Sequence, residues 1–313
     1  MRFTKLLAAA AIAVVATAPV KAETFINILT GGQSGVYYPL GVSLESIFAA
    51  SVTDARPSVQ STKASVENLN LIQAGKGEIA FTLGDSLKFA VEGNADAGFA
   101  NPLDKLRTVA AIYPNYVQIV ASQESGIKTL ADLKGKRVSV GAPKSGTELN
   151  ARAILTAAGL TYDDLGKVEY LPFGESVELI KNRQLDATLQ SAGLGVSSIR
   201  DLASSVAITV VEIPADVVAK IGSPYLAGTI PAGTYEGQTA DIATAVIQNY
   251  LVSSADVSDD VAYAMTKAIF ENLDKMVAAH AAAKGIALDK AAKAPPAPLH
   301  PGAERYFKEA GAM

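Results

Sequence analysis

The chain has no cysteine at any of its 313 positions. Disulfides, thiol catalysis and thiolate metal sites are therefore excluded. Only two histidines are present, so a zinc centre lacks its usual ligands. Charged residues make up 19% of the chain and apolar residues 49%. That balance favours a buried core over disorder. Positive charge is not in excess either. The formal net charge is −4, and Arg2, Lys5 and Lys21 lie in the leader described next, which leaves the remainder near −7. Such a surface has no broad attraction for nucleic acid. It still permits an anionic small molecule, because local donors decide that.

Apolar runs long enough to span a bilayer are missing as well. Leu6–Ala18 carries no charge, but its 13 residues reach roughly 20 Å as a helix, against a bilayer core of ~30 Å. With the basic head Met1-Arg2-Phe3-Thr4-Lys5 before it and the small residues of Val20-Lys21-Ala22 after it, this run reads as a signal peptide. Cleavage is expected after Ala22, with Glu23 as the mature start. Ala16-Thr17-Ala18 also fits, but would place Pro19 directly after the cut. The remaining ~290 residues suffice for one large domain or two lobes.

Short apolar strands alternate with helical patterns. Thr24–Leu29 reads as a strand, followed by the turn Thr30-Gly31-Gly32-Gln33-Ser34-Gly35. Val36, Leu40, Leu44, Ile47 and Phe48 then recur at helical spacing. Ser58–Thr62 is a second strand, Ser65 an N-cap candidate for a helix carrying Val66, Leu69 and Ile72, and Ile79–Leu83 a third strand. This β-α-β-α-β run predicts a parallel sheet with flanking helices. The pattern restarts with strands at Val117–Ala121 and Arg137–Gly141 and a helix from Glu148 to about Ala158. Further strands follow at Val168–Leu171, Ala187–Gln190 and Ile208–Ile213. After a strand at Tyr250–Ser253, Val261, Met265, Ile269, Leu273 and Met276 predict one long helix. A short helix, Ala303–Glu309, ends the chain. Two α/β lobes are thus expected, with Val117–Ala121 and Tyr250–Ser253 as the crossings between them.

Each lobe has one turn of small residues leading into a helix: Gly31–Gly35 in the first and Lys144-Ser145-Gly146-Thr147 in the second. Small residues let a ligand approach the backbone. The free N–H groups of the first helical turn and the helix dipole both favour an anion. Either turn alone is equally an ordinary strand-to-helix connection. The pair, one per lobe, points to a ligand held between them. Asp85 follows a strand end, where open α/β sheets place ligands, and suits either an ammonium group or a helix cap. Arg152 reads as a solvated residue.

A set of ordered motifs resembles the TAXI group (TRAP-associated extracytoplasmic immunogenic) of TRAP-transporter solute receptors. The set comprises Thr30-Gly31-Gly32 through Gly35-Val36-Tyr37-Tyr38, Ser65-Val66-Glu67-Asn68-Leu69, Val140 through Asn150, Ile230-Pro231-Ala232-Gly233-Thr234-Tyr235 and Leu299 through Tyr306. The resemblance implies a monomeric, two-lobed, type II-like periplasmic binding protein whose two α/β domains are joined by two hinge strands. Lobe 1 would comprise residues 23–118 and 249–313, and lobe 2 residues 119–248, after a signal peptide of residues 1–22. It implies capture of a small anionic or zwitterionic ligand, of the glutamate, glutamine, dicarboxylate or oxo-acid kind, and delivery to a TRAP permease of fused subunits. No enzymatic activity, cofactor, metal or nucleic acid is expected. Ligand contacts would map onto Gly32, Ser34, Gly35, Tyr38, Ser65, Asn68, Asp85 and Tyr113 from the first lobe and Ser145, Gly146, Thr147 and Gly193 from the second. Tyr37 is the alternative to Tyr38. The sequence departs from the group at Ala64, where glycine is usual, at Leu83-Gly84, at Asn115 and at Gly195. The first three positions fall near the expected cleft, so an unusual ligand is implied.

Two other functions compete with this reading. A serine hydrolase could use Ser125-Gly126-Ile127-Lys128 as S-x-x-K and Lys144-Ser145-Gly146 in place of K-T-G. The two lysines lie only 16 positions apart, and neither an S-D-N element nor G-x-S-x-G is present. A sensor feeding a membrane kinase would use the same fold as a transport receptor.

Overall fold

The computed structural model describes residues 23–313; the signal-peptide reading lies outside the described residues. Strand β1 (Thr24–Leu29) pairs in parallel with β2 (Ala55–Gln60) on one side and β3 (Ile79–Leu83) on the other. Helix α1 (Tyr37–Ser51) connects the first pair and α2 (Ser65–Gln73) the second. α1 buries Leu40, Leu44, Ile47 and Phe48, a single stripe at helical spacing. Each such side chain contributes about 2 kcal/mol on burial. β3 is buried at every residue and runs directly into α3 (Gly84–Glu92). The second predicted strand starts three residues earlier than its apolar pattern, at Ala55.

Two long strands then tie the molecule together. β4 (Leu106–Ser122) and β10 (Ile242–Ser254) are antiparallel neighbours. The final residues of β10, Asn249–Ser253, pair with β3. The final residues of β4 pair with β7 (Ala187–Ala192) and β8 (Ile208–Val211). The start of β10 pairs with β9 (Leu226–Ile230). β7 continues in parallel to β5 (Arg137–Ser139), and β5 to β6 (Lys167–Glu169). The strand order β2-β1-β3-β10-β4-β7-β5-β6 makes two α/β halves joined by β4 and β10. Both crossings are longer than the apolar segments Val117–Ala121 and Tyr250–Ser253. Buried polar residues, among them Thr108, Asn115, Gln118, Thr244 and Asn249, interrupt the apolar pattern of strands that nevertheless continue. Pro114 is tolerated inside β4 because its partner Gln248 borders a register shift, where a missing ladder donor matters least.

The second half has α4 (Gly146–Ala157), α5 (Phe173–Lys181), α6 (Ser197–Ser205) and α7 (Ala215–Ile221). The long helix predicted through Val261 and Met276 is instead two, α8 (Asp259–Phe270) and α9 (Leu273–Ala279). Asn272 leaves helical geometry at φ −133° and ψ 33°. Its Nδ2 donates to Ala268 O at 2.8 Å, so a side chain competes with the backbone ladder. After α10 (Leu288–Ala291) the chain closes with α11 (Pro301–Glu309). His300 caps α11: its Nδ1 accepts from Gly302 N at 3.2 Å, and Pro301 occupies a first-turn position that lacks an N–H acceptor anyway.

Candidate functional site

Four helices begin at one cavity of about 440 Å³. The first half supplies the starts of α1 and α2, through Gly31–Tyr37 and Ser61–Ser65. The second half supplies the starts of α4 and α5, through Ser145–Thr147 and Pro172–Glu175. Each helix has first-turn N–H groups with no acceptor inside the helix, and each dipole adds partial positive charge at that end. The converging set makes a region of donors without a dedicated cation. Lys63 and Glu175 are the charged residues of the lining, and both are exposed.

The halves are already in contact here. Glu67 N, in the first turn of α2, donates to Lys144 O at 3.1 Å. A Cβ on Gly146 would sit 2.7 Å from both Leu83 Cδ1 and Ser65 Oγ, so only glycine lets α4 start this close to the opposite half. Gly35 turns tightly, with its N–H donating to Gly32 O at 3.0 Å, and a Cβ there would meet that same carbonyl oxygen at 3.2 Å. Ser145 is the N-cap of α4, accepting from Glu148 N at 3.1 Å. Ser65 is not an N-cap. Ala64 holds that position at φ 70° and ψ −150°, and Ser65 Oγ instead accepts from Leu83 N at 3.1 Å.

Eight of the residues predicted as contacts line the cavity: Gly32, Ser34, Gly35, Ser65, Tyr113, Ser145, Gly146 and Thr147. Four do not. Tyr37 takes the place of Tyr38, because consecutive helical residues point about 100° apart; Tyr37 stacks on Phe81 at 5.0 Å and donates to Asn249 Oδ1 at 2.5 Å. Asn68 is fully buried beneath the turn, where its Nδ2 donates to Thr30 O and Phe81 O at 2.7 and 2.8 Å. Gly193 backs onto Ala282 and the Tyr113 ring.

Asp85 is sealed between the halves. Its carboxylate accepts from Asn150 Nδ2 at 2.6 Å, Tyr225 OH at 2.7 Å and Ser86 N at 2.7 Å. Burial pushes its pKa above the ordinary carboxylate value, against the opposing pull of those donors. Asn150 Oδ1 in turn accepts from Ser191 Oγ at 2.5 Å, and Ser191 lines the cavity. Asp85 is thus one shell behind the cavity, joined to it through Asn150 and Ser191. Arg152 is committed as well, donating to both Glu148 carboxylate oxygens at 2.8 and 2.9 Å and to Asp96 O at 2.9 Å.

Sequence reasoning missed the start of α5. Phe173 and Gly174 meet Gly35 and Ser34 across the cavity, but Pro172-Phe173-Gly174 lacks the small-residue pattern used to find the other turns. Pro before the first helical residue was the available signal. The three departures Ala64, Leu83 and Asn115 all line the cavity. Two buried polar atoms in the lining, Tyr113 OH and Asn115 Oδ1, have no hydrogen-bond partner among the described residues.

Among the described residues no group of His, Asp or Glu is arranged to hold a metal ion, and no helix is long and apolar enough to cross a membrane. Residues 28–311 match the NMT1-like family. Several solved structures share the fold at low identity. The PhnD1 protein of Prochlorococcus marinus (MIT 9301), solved with methylphosphonate, is 11% identical with a TM-score of 0.57, over 93% of this chain and 99% of that one. A structure described as a periplasmic transporter is 13% identical with a TM-score of 0.56, over 91% and 92%. A protein of Bordetella bronchiseptica RB50 is 17% identical with a TM-score of 0.54, over 85% and 76%. The chain belongs to the NMT1-like family and has the two-lobed α/β fold of periplasmic binding proteins.

Proposed function

We propose that this chain is an exported receptor that captures a small carboxylate between its lobes and delivers it to a TRAP membrane permease, as the TAXI motifs imply. The reading takes residues 23–118 and 249–313 as one lobe, residues 119–248 as the other, and the periplasm as its location after cleavage behind Ala22. The observation that carries it is the convergence of four helix starts, two from each half, on one cavity. A carboxylate there accepts hydrogen bonds from both halves at once, so binding favours the state in which the halves touch. Its size lies in the range usual for small-molecule sites.

A thermal-shift screen tests this reading. The panel holds amino acids, dicarboxylates, oxo-acids, hydroxy acids and methylphosphonate, the last because the PhnD1 structure contains it. A true ligand at a hundred times its Kd stabilises the protein by about 2.7 kcal/mol, which raises Tm by several degrees. Ser145→Leu, which fills the start of α4, abolishes the shift. Shifts confined to methylphosphonate replace the carboxylate by a phosphonate. No shift with any anion contradicts the receptor reading.

A further inference from the structure

The two unpartnered polar atoms of the lining narrow the ligand class. Tyr113 OH and Asn115 Oδ1 belong to β4 residues two positions apart, and both residues line the cavity. Tyr113 is fully buried and Asn115 is 2% exposed. An unmet polar atom at such burial costs about 1–3 kcal/mol, and natural cores rarely leave two together. Both residues belong to the cavity lining, but neither atom is open to solvent, so a ligand partners them only by inserting a polar group to that depth.

The chemistry of the pair is specific. An amide oxygen only accepts, so the ligand must bring a donor to Asn115. A phenol both donates and accepts, so Tyr113 is satisfied by the same group if that group also accepts. A hydroxyl does both. A ketone oxygen cannot donate and leaves Asn115 Oδ1 unmet. An ammonium group can donate, but it brings a positive charge into a lining whose one carboxylate, Glu175, is exposed at the rim. Asp85 does not serve it, since its carboxylate is already held by Asn150, Tyr225 and Ser86. Away from the helix starts, a second ligand carboxylate finds no cation but exposed Lys63. The lining also carries serine and threonine hydroxyls and Gln33; its apolar part includes Val36, Leu83, Pro172 and Phe173.

We infer that the cavity selects a hydroxy-monocarboxylate with an apolar body, over amino acids, oxo-acids and dicarboxylates. This rests on the proposed carboxylate reading and goes further by naming what the rest of the molecule must carry. The carboxylate meets the helix starts, the hydroxyl sits between Tyr113 and Asn115, and the body packs on the apolar lining.

Calorimetric titration of the whole mature chain with one carbon skeleton tests it. The probes are isocaproate, α-hydroxyisocaproate, α-oxoisocaproate and leucine, with α-hydroxyglutarate for the second carboxylate and lactate and phenyllactate to vary the body. The hydroxy acid is expected to bind at least tenfold tighter than isocaproate, the oxo-acid and leucine. Tyr113→Phe removes only the unpartnered hydroxyl, so its melting temperature without ligand rises, and it loses most of that preference. Asn115→Ala also collapses the preference of the hydroxy acid over isocaproate. Equal binding of isocaproate and its hydroxy form overturns the inference while leaving a carboxylate receptor in place. Tighter binding of leucine or α-hydroxyglutarate also overturns it. Failure of every carboxylate, whatever the body, contradicts the underlying reading instead.

Discussion

Asn150 of α4 donates a 2.6 Å hydrogen bond to the fully buried carboxylate of Asp85 at the start of α3, and so ties the two halves of the chain together beneath the cavity. Any motion that carries α4 away from the first half breaks this bond together with the Glu67 N to Lys144 O contact. Asn150→Ala leaves Asp85 with donors from Tyr225 and Ser86 alone. A loss of roughly 1–3 kcal/mol is expected, read as a lower Tm, with weaker ligand binding because the closed state loses a contact. Unchanged Tm and affinity together contradict the latch.

Asp85 also gives the protein a pH dependence of defined sign. Burial raises its folded-state pKa above the ordinary Asp value of about 3.9. Above that value the unfolded chain releases the proton more readily than the folded one, so stability falls as pH rises through the folded-state pKa. Its other titratable neighbours, Tyr225 and Tyr37, are pushed upward by burial and stay neutral across this window. Asp85→Asn is expected to flatten the decline above pH ~4 in melts over a pH series. A decline of the same slope in the variant assigns the effect to other groups.

Ala64 holds a backbone conformation, φ 70° and ψ −150°, that is close to glycine-only territory and costs on the order of 1–3 kcal/mol. Glycine relieves this but adds unfolded-state entropy of about 0.5–1 kcal/mol. Ala64→Gly is therefore expected to stabilise the chain by about 1 kcal/mol, seen by calorimetry as a Tm higher by a few degrees. An unchanged or lower Tm shows that the neighbourhood relieves the strain in another way.

Gly146 sets how closely the halves approach. A methyl group there overlaps Leu83 and Ser65, with Ser86 Oγ at 2.9 Å. Gly146→Ala is expected to fold normally, because the position opens a helix, but to weaken ligand binding at least tenfold. Wild-type affinity in this variant places the ligand outside the contact between α4 and the first half.

Much of this arrangement was legible in the sequence. β1 and β3 end where their apolar patterns end, since both are short and bounded by turns. The glycine turns before α1 and α4 were legible because close backbone approach needs small residues. Asn68 and Asp85 were assigned to the ligand by resemblance, yet both bind protein groups; a buried polar side chain looks the same in sequence whether its partner is a ligand or a backbone carbonyl. The extent of β4 and β10 was hidden by polar residues that are buried by tertiary pairing. The start of α5 was hidden because Phe173 reads as ordinary core.

The central claim is that a carboxylate closes the two halves on one another. The absence of native cysteine permits paired spin labels at Ser46→Cys on α1 and Glu178→Cys on α5, both exposed positions, whose helices begin on opposite sides of the cavity. Pulsed electron paramagnetic resonance then reports the distance between halves. Saturating α-hydroxyisocaproate, or whichever carboxylate binds, is expected to narrow the distribution and shift it to the shorter, closed distance. A distribution unchanged by a carboxylate that calorimetry shows to be bound contradicts the account.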